Sequence, residues 1–240
     1  MPIYKGNTKI VKIYKGSIQI VKRYKGTDLI YSASRLPSAF QEVEYIESSE
    51  TQWVDIQYLP NSTTELYIKY TRMPNSLSAF TDLFGCEKNT IAYTVAGRFV
   101  QYNNYQEYIR ILSSSANFIV ANHNSNTKYA ELFIDNNNAT LIDTDVNNVQ
   151  YTYTTTYTPE ASSLDISMYL FARNQNGTAY RPAKIRLYSC KIYDNNVLVR
   201  DFVPCYRKAD NEIGLYDLVN GVFYTNAGTG TFAKGGNVWE

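Results

Sequence analysis

The sequence predicts an all-β protein, an antiparallel sandwich, and three observations predict it. The chain carries 23 Tyr and 10 Phe, side chains that suit a pleated, half-buried surface. It also carries 23 Asn, a residue that tolerates the left-handed backbone of tight turns. Between those asparagines, short runs alternate apolar and polar residues at the spacing of strands, and stretches of helical period are scarce.

The chain opens on "YKGNTKIVKIYKGSIQIVKRYKGTDLIYSA". Tyr-Lys-Gly recurs every ten residues, at Tyr4-Lys5-Gly6, Tyr14-Lys15-Gly16 and Tyr24-Lys25-Gly26. An even period preserves strand parity, so Ile10, Ile20 and Ile30 fall on equivalent faces. Val11 and Val21 fall on the other face, and the glycines mark turns or bulges. Three short strands bury too little surface to be stable alone. Residues 1–33 are therefore expected to dock on a neighbour, with the Tyr-Lys-Gly triplets, Ile10 and Ile20 as docking residues. Residues 1–35 carry a net charge of +7 and the remainder −6, which points to an acidic protein surface as partner. The period is that of strands, and no Arg-rich cluster follows the backbone spacing of a nucleic acid. No nucleic-acid partner is expected.

Residues 34–39, small and polar around Pro37, read as a linker, and residues 40–240 as the body. "TQWVDIQYL" and "TTELYIKYT" alternate as strands, and "TDLFGCEKN" is a strand running into a turn. "GRFVQYNNYQEYIRIL" reads as a hairpin turning at Asn103-Asn104. "KYAELFIDNNNATLIDTD" is a second hairpin, turning between Asn136 and Asn138. Further strands follow, with turns near Asn176-Gly177, Asn195-Asn196 and Asn220-Gly221, dipeptides that hairpins favour.

Two stretches carry a family resemblance. "LPSAFQEVEYIESSETQWVDIQYLPNS" (Leu36 to Ser62) and "KIRLYSCKIYDNNVLVRDFVPCYRKADNEIGLYDLVNGVFYTNAGTGTFAKGG" (Lys184 to Gly236) resemble a concanavalin A-like, laminin-G-type jelly-roll module. Such modules occur in bacteriophage structural proteins and in surface proteins of gut bacteria. The resemblance implies a jelly-roll sandwich whose two ends lie close. It also implies a virion protein, a head fibre, decoration or tail-fibre-like protein, anchored by its N-terminal repeat to capsid, portal or tail. The usual symmetry of phage fibres implies a homo-oligomer, a trimer by preference. A carbohydrate is the implied ligand of the displayed sandwich. The alternatives are a bacterial surface adhesin and a glycan-active hydrolase. The opening "MPIYKGNTK" has no apolar stretch of signal-peptide length, and no run approaches the ~20 apolar residues of a membrane span. The expectation is synthesis in a host cytoplasm and a place on the particle, with no membrane contact.

No catalytic constellation stands out, and an enzyme is not expected. Glucanases of this type resemble a Glu-x-Asp-x-x-Glu pattern. The nearest strings are Glu42, Glu44 and Glu47, and Glu131 with Asp135, and neither fits. His123, the only histidine, sits in a polar stretch without the partners of a triad or zinc site. No cofactor is expected. Calcium is the metal that the oxygen donors Asp135, Asp143 and Asp145 would suit, though the string lacks the central Gly and final Glu of an EF-hand. Two polar hairpin turns explain it as well. Trp53, Tyr102 and Tyr105 flank turns and are the candidate sugar-stacking residues. Cys86, Cys190 and Cys205 read as free thiols, with a Cys190–Cys205 pair as the alternative.

Overall fold

The computed structural model describes residues 35–73, 80–88, 93–102, 104–110, 118–123, 127–135, 137–158 and 164–238, and the strand residues 4–5, 8–9, 13–15, 18–20, 22–25 and 28–32. Side chains are described for 35–73, 81–88, 127–135, 137–158 and 164–238.

Alternation along Thr64–Arg72 shows how these residues choose their faces. Thr64, Leu66, Ile68 and Tyr70 are buried, while Glu65, Tyr67, Lys69 and Thr71 are not. This strand sits in the middle of the larger sheet. The order across that sheet is Gln150–Thr156, Asn138–Asp145, Thr127–Ile134, Thr64–Arg72, Ile185–Asp194, Val197–Arg207, Ile213–Asp217 and Val222–Thr225, every pair antiparallel. The smaller sheet runs Phe118–His123, Asn104–Arg110, Tyr93–Tyr102, Phe80–Lys88, Tyr169–Leu170 and Val54–Asp55. Arg173–Gln175 lies parallel to Phe80–Lys88 and pairs with Thr178–Tyr180.

Inward residues of both sheets form one core, with Ile68, Leu132 and Phe202 from the larger and Val54, Phe84 and Leu170 from the smaller. Each such burial stabilises the fold by about 1.5–3 kcal/mol. The chain crosses between the sheets from Thr64–Arg72 to Phe80–Lys88 and returns at Thr127–Ile134. The two ends of the body meet: Val43 pairs with Asn237, and the Glu44 amide donates to the Gly236 carbonyl at 2.9 Å. The fold is the antiparallel jelly-roll sandwich that the sequence predicts, and all elements of the described residues are strands.

The expected turns are where the asparagines stand. Asn195 and Asn196 have φ of 50° and 63°, and Asp194 pairs with Val197 across them. Asn176 and Gly177 have φ of 51° and 88° between paired Gln175 and Thr178. Positive φ at both central residues is the hairpin geometry whose twist matches the strands. Tyr102 pairs with Asn104 around Asn103, which lies outside the described residues. At Asn220-Gly221 the loop has four residues, Leu218 to Gly221, between paired Asp217 and Val222. The fully buried Asp217 carboxylate holds it, accepting from the Asp201 and Val219 amides at 3.0 Å and from Asn220 Nδ2 at 2.7 Å.

The N-terminal repeat differs from one strand per decapeptide. Tyr4–Lys5 pairs with Thr8–Lys9, Ile13–Lys15 with Ile18–Ile20, and Lys22–Lys25 with Asp28–Ser32. Each decapeptide period contributes one hairpin. The physical reason lies in the spacing: Lys5 pairs with Thr8, Lys15 with Ile18 and Lys25 with Asp28. Two residues, the first a glycine, remain between each pair, a composition that two-residue hairpin loops favour. Gly6, Gly16, Gly26 and Ile10 themselves lie outside the described residues. Arg35 to Ala39, read as linker, are part of the body: Leu36 is buried against Val203 and Cys205 in a small second core.

Candidate functional site

The outward face of the larger sheet carries the candidate site. Register, rather than sequence proximity, assembles it. Tyr67 lies between Phe133 on one neighbouring strand and Lys191 on the other, and Lys69 lies between Glu131 and Ser189. A bulge adds a further ring. Pairing along Ile185–Asp194 jumps from Ser189 opposite Lys69 to Leu187 opposite Tyr70. A bulge places an extra residue in one strand and re-aims its side chains. Tyr188 and Ser189 are thus both half-buried between buried Leu187 and Cys190. The result is an open depression of about 790 Å³, lined by Tyr67, Lys69, Glu131, Phe133, Tyr188, Ser189 and Lys191 together with Arg35, Glu65, Asp135 and Tyr193.

The side chains in it are held in place. Tyr67 donates its hydroxyl to Glu131 Oε1 at 2.7 Å. Lys69 Nζ lies 3.7 Å from the same oxygen and 3.8 Å from the centre of the Tyr129 ring. Tyr67 and Phe133 have ring centroids 4.8 Å apart at 48°, and Phe133 is 39% exposed. Tilted pairs of this kind suit the aromatic quadrupole. Burial, and next the bond to Glu131, raise the Tyr67 phenol well above its ordinary value, so it remains a donor. Tyr188 shares a hydrogen bond with Thr71 at 3.1 Å and meets Tyr45 edge-on at 5.6 Å. Lys191 Nζ is 3.6 Å from Asp201, and Arg35 is 2.7 Å from Glu42.

The residues singled out from the sequence lie elsewhere. Trp53 is half-buried, stacked on Tyr169 at 6.4 Å, and backs onto the closing loop, where a Cβ on Gly228 would come within 2.5 Å of its ring. Tyr102 and Tyr105 sit near the Asn103 turn of the smaller sheet, with side chains outside the described residues. Trp53 adjoins Val54–Asp55, three strand positions from Tyr93–Tyr102 and four from Asn104–Arg110, roughly 15–20 Å at the usual strand spacing. The structure does not bring the three together. Asp135 Oδ1 accepts from the Asn137 and Asn138 amides at 3.3 and 2.9 Å, a turn-forming role. Asp145 Oδ1 does the same for Asn147 and Val149, at 2.8 Å each. Asp143, buried, faces Arg72 at 3.3 Å. The eight-residue strand Asn138–Asp145 separates Asp135 from Asp145 by roughly 25 Å. Among the described residues no three His, Cys, Asp or Glu side chains are placed to hold a metal ion.

His123 ends the strand Phe118–His123 rather than lying in a loop. Its backbone pairs with Tyr105, and its side chain is outside the described residues. Glu42 faces Arg35, and Glu47 accepts from Arg186 Nε at 2.6 Å. A further charged cluster ties the smaller sheet together internally. Buried Arg173 lies 2.8 Å from Glu87 and 3.4 Å from Asp82, both also buried. Cys86, Cys190 and Cys205 are buried, and none of the three is in a disulfide. Burial raises the Cys190 thiol and pushes Cys205 up to about 12.

No protein-family model matches the sequence, and no curated protein matches it. Among solved structures the chain is similar to Scytalido-glutamic peptidase with a peptide-based transition state analogue, at 10% identity and a TM-score of 0.38, over 79% of this chain and 99% of that one. It is similar to the Ruminococcus gnavus IT-sialidase CBM40 bound to α2,3 sialyllactose, at 11% identity and TM-score 0.30, over 64% and 86%. It is also similar to the NanB sialidase from Streptococcus pneumoniae, at 14% identity and TM-score 0.37, over 83% of this chain and 39% of that one. Likenesses of this size assign neither ligand nor reaction to this chain.

Proposed function

We propose that the chain is a bacteriophage virion structural protein whose sandwich binds carbohydrate through the outward face of its larger sheet. The observation that carries the binding role is the Tyr67–Phe133 ring pair beside fixed hydrogen-bonding groups. A sugar presents an apolar C–H face and a rim of hydroxyls. The rings offer apolar surface, and Glu131, Lys69, Lys191 and Ser189 offer donors and acceptors around it. The virion role is supported by the family resemblance and by the basic repeat. Among the described residues each hairpin strand of that repeat pairs only within its own hairpin. Edges of this kind are suited to strand addition by a partner. Several copies on one particle would multiply a weak affinity.

Calorimetric titration with a panel of oligosaccharides tests the binding role. Saturable binding is expected, weakened at least tenfold by Phe133→Ala with the fold intact. A panel without a single binder removes the role. The anchoring role is tested by the solution mass of the full chain and of a chain starting at Ser34. An oligomer and a folded monomer, respectively, are expected. Two folded monomers would leave the repeat without a part in self-assembly.

A further inference from the structure

Resting on the carbohydrate reading, we propose that the depression selects neutral saccharides over acidic ones. Three cations reach it, and each already faces a carboxylate: Arg35 with Glu42 at 2.7 Å, Lys69 with Glu131 at 3.7 Å, and Lys191 with Asp201 at 3.6 Å. Glu65 and Asp135 add two more carboxylates to the described lining. Asp135 bonds only backbone amides and the Asn138 amide group through Oδ1, so no described cation neutralises it. Within the lining the three cations are matched by the three carboxylates Glu65, Glu131 and Asp135, so no positive charge is left in excess. Capture of a sugar carboxylate favours a guanidinium whose N–H fork is free for bidentate contact. Arg35 has Nη2 on Glu42. An acidic sugar would have to displace one of these pairs and approach the remaining carboxylates, a like-charge arrangement that is unfavourable at short range.

A neutral sugar meets no such opposition. Its hydroxyls can donate to the carboxylates, which have acceptor positions to spare beyond the Tyr67 and Lys69 contacts. Its ring face can lie on the exposed Phe133 and Tyr67. The charged groups then act as hydrogen-bonding partners rather than as counter-ions.

The test titrates the full chain by calorimetry with lactose, N-acetyllactosamine, maltotriose and chitotriose, and separately with 3′-sialyllactose and trigalacturonate. At least one neutral probe is expected to bind at least tenfold more tightly than both acidic ones. Its affinity should be nearly unchanged by added salt, since screening acts on net charge. Acidic probes binding as tightly or more tightly overturn the proposal and leave the carbohydrate reading standing. No binding by any probe overturns both. Glu131→Gln keeps the side-chain shape and leaves Lys69 without its carboxylate. This variant should bind 3′-sialyllactose about tenfold more tightly than the unaltered chain does, at a coupling of about 1.4 kcal/mol. An unchanged preference in that variant contradicts the charge argument.

Discussion

The two halves of the larger sheet's outward face are finished in different ways. Over Val197–Arg207, Ile213–Asp217 and Val222–Thr225 the chain folds back on itself. Leu36 is 7% exposed against Val203 and Cys205, and Phe40 lies 4.8 Å from Tyr216 and 4.9 Å from Phe223. Over Thr127–Ile134, Thr64–Arg72 and Ile185–Asp194 the depression is open, and rings and charges face it. One half is a small core with a roof. The other has the same strand geometry and comparable aromatic content, yet carries hydrogen-bonded polar groups among its rings. The difference teaches that an aromatic sheet face is informative where it is left open and its polar groups are pre-positioned.

Substitutions should separate the halves. The largest effect is expected under the roof. A Cβ at Gly214 would collide with the Tyr224 carbonyl oxygen and lie 3.0 Å from the Phe223 ring. Gly214→Val should therefore cost about 3 kcal/mol, in the range of overpacked sites, read by urea unfolding. Leu36→Ala should cost about 2 kcal/mol by the same measurement, the lower end for a buried leucine, and leave oligosaccharide affinity unchanged. Phe133→Ala should do the reverse. Its stability change should stay below about 1 kcal/mol because the side chain is partly exposed, while binding falls at least tenfold. A Phe133 variant that unfolds as readily as the Leu36 variant would erase the distinction.

Alkaline pH sharpens the comparison by a smaller margin. Burial raises the phenols of Tyr58, Tyr67 and Tyr157 above their ordinary value of 10.0. The folded state therefore holds their protons more tightly than the unfolded state. Their stabilising contribution is complete below about pH 10 and is lost as pH rises towards the folded values. Tyrosinate absorbance at about pH 11 should show a protonated fraction that ionises only on unfolding. Full ionisation of the folded protein at that pH would contradict the burial of these rings. The thiols should behave alike. Cys190 and Cys205 should resist alkylation at about pH 8 until the chain unfolds, because burial disfavours and encloses their reactive thiolates.

Much of the fold was legible because it is local. Alternation in "TTELYIKYT" gives the inward Leu66, Ile68 and Tyr70, and Asn195-Asn196 and Asn176-Gly177 give their turns directly. "TQWVDIQYL" keeps its alternation from Gln52 to Pro60 but pairs as a strand only at Val54–Asp55. Pairing depends on neighbours that alternation does not reveal. The candidate site was hidden for the same reason. Tyr67, Phe133 and Lys191 come from three separated segments and meet through register alone. A sequence signal does exist: each of these strands places rings or long charges at alternate outward positions, whereas a strand with an ordinary solvated face needs no rings there. Trp53 stood out as a rare residue beside a turn, yet it serves the closure of the sandwich around Gly228. The repeat gave its period but not its pairing, because ten residues accommodate one strand or one hairpin equally well.

The most direct test follows backbone amide shifts by nuclear magnetic resonance while the best-binding neutral oligosaccharide is added to the full chain. Shifts concentrated in Thr64–Arg72, Thr127–Ile134 and Ile185–Asp194, with Ile213–Asp217 and Val222–Thr225 undisturbed, are the predicted result. Shifts centred on the roofed half, or on the smaller sheet around Trp53, would contradict the placement of the site.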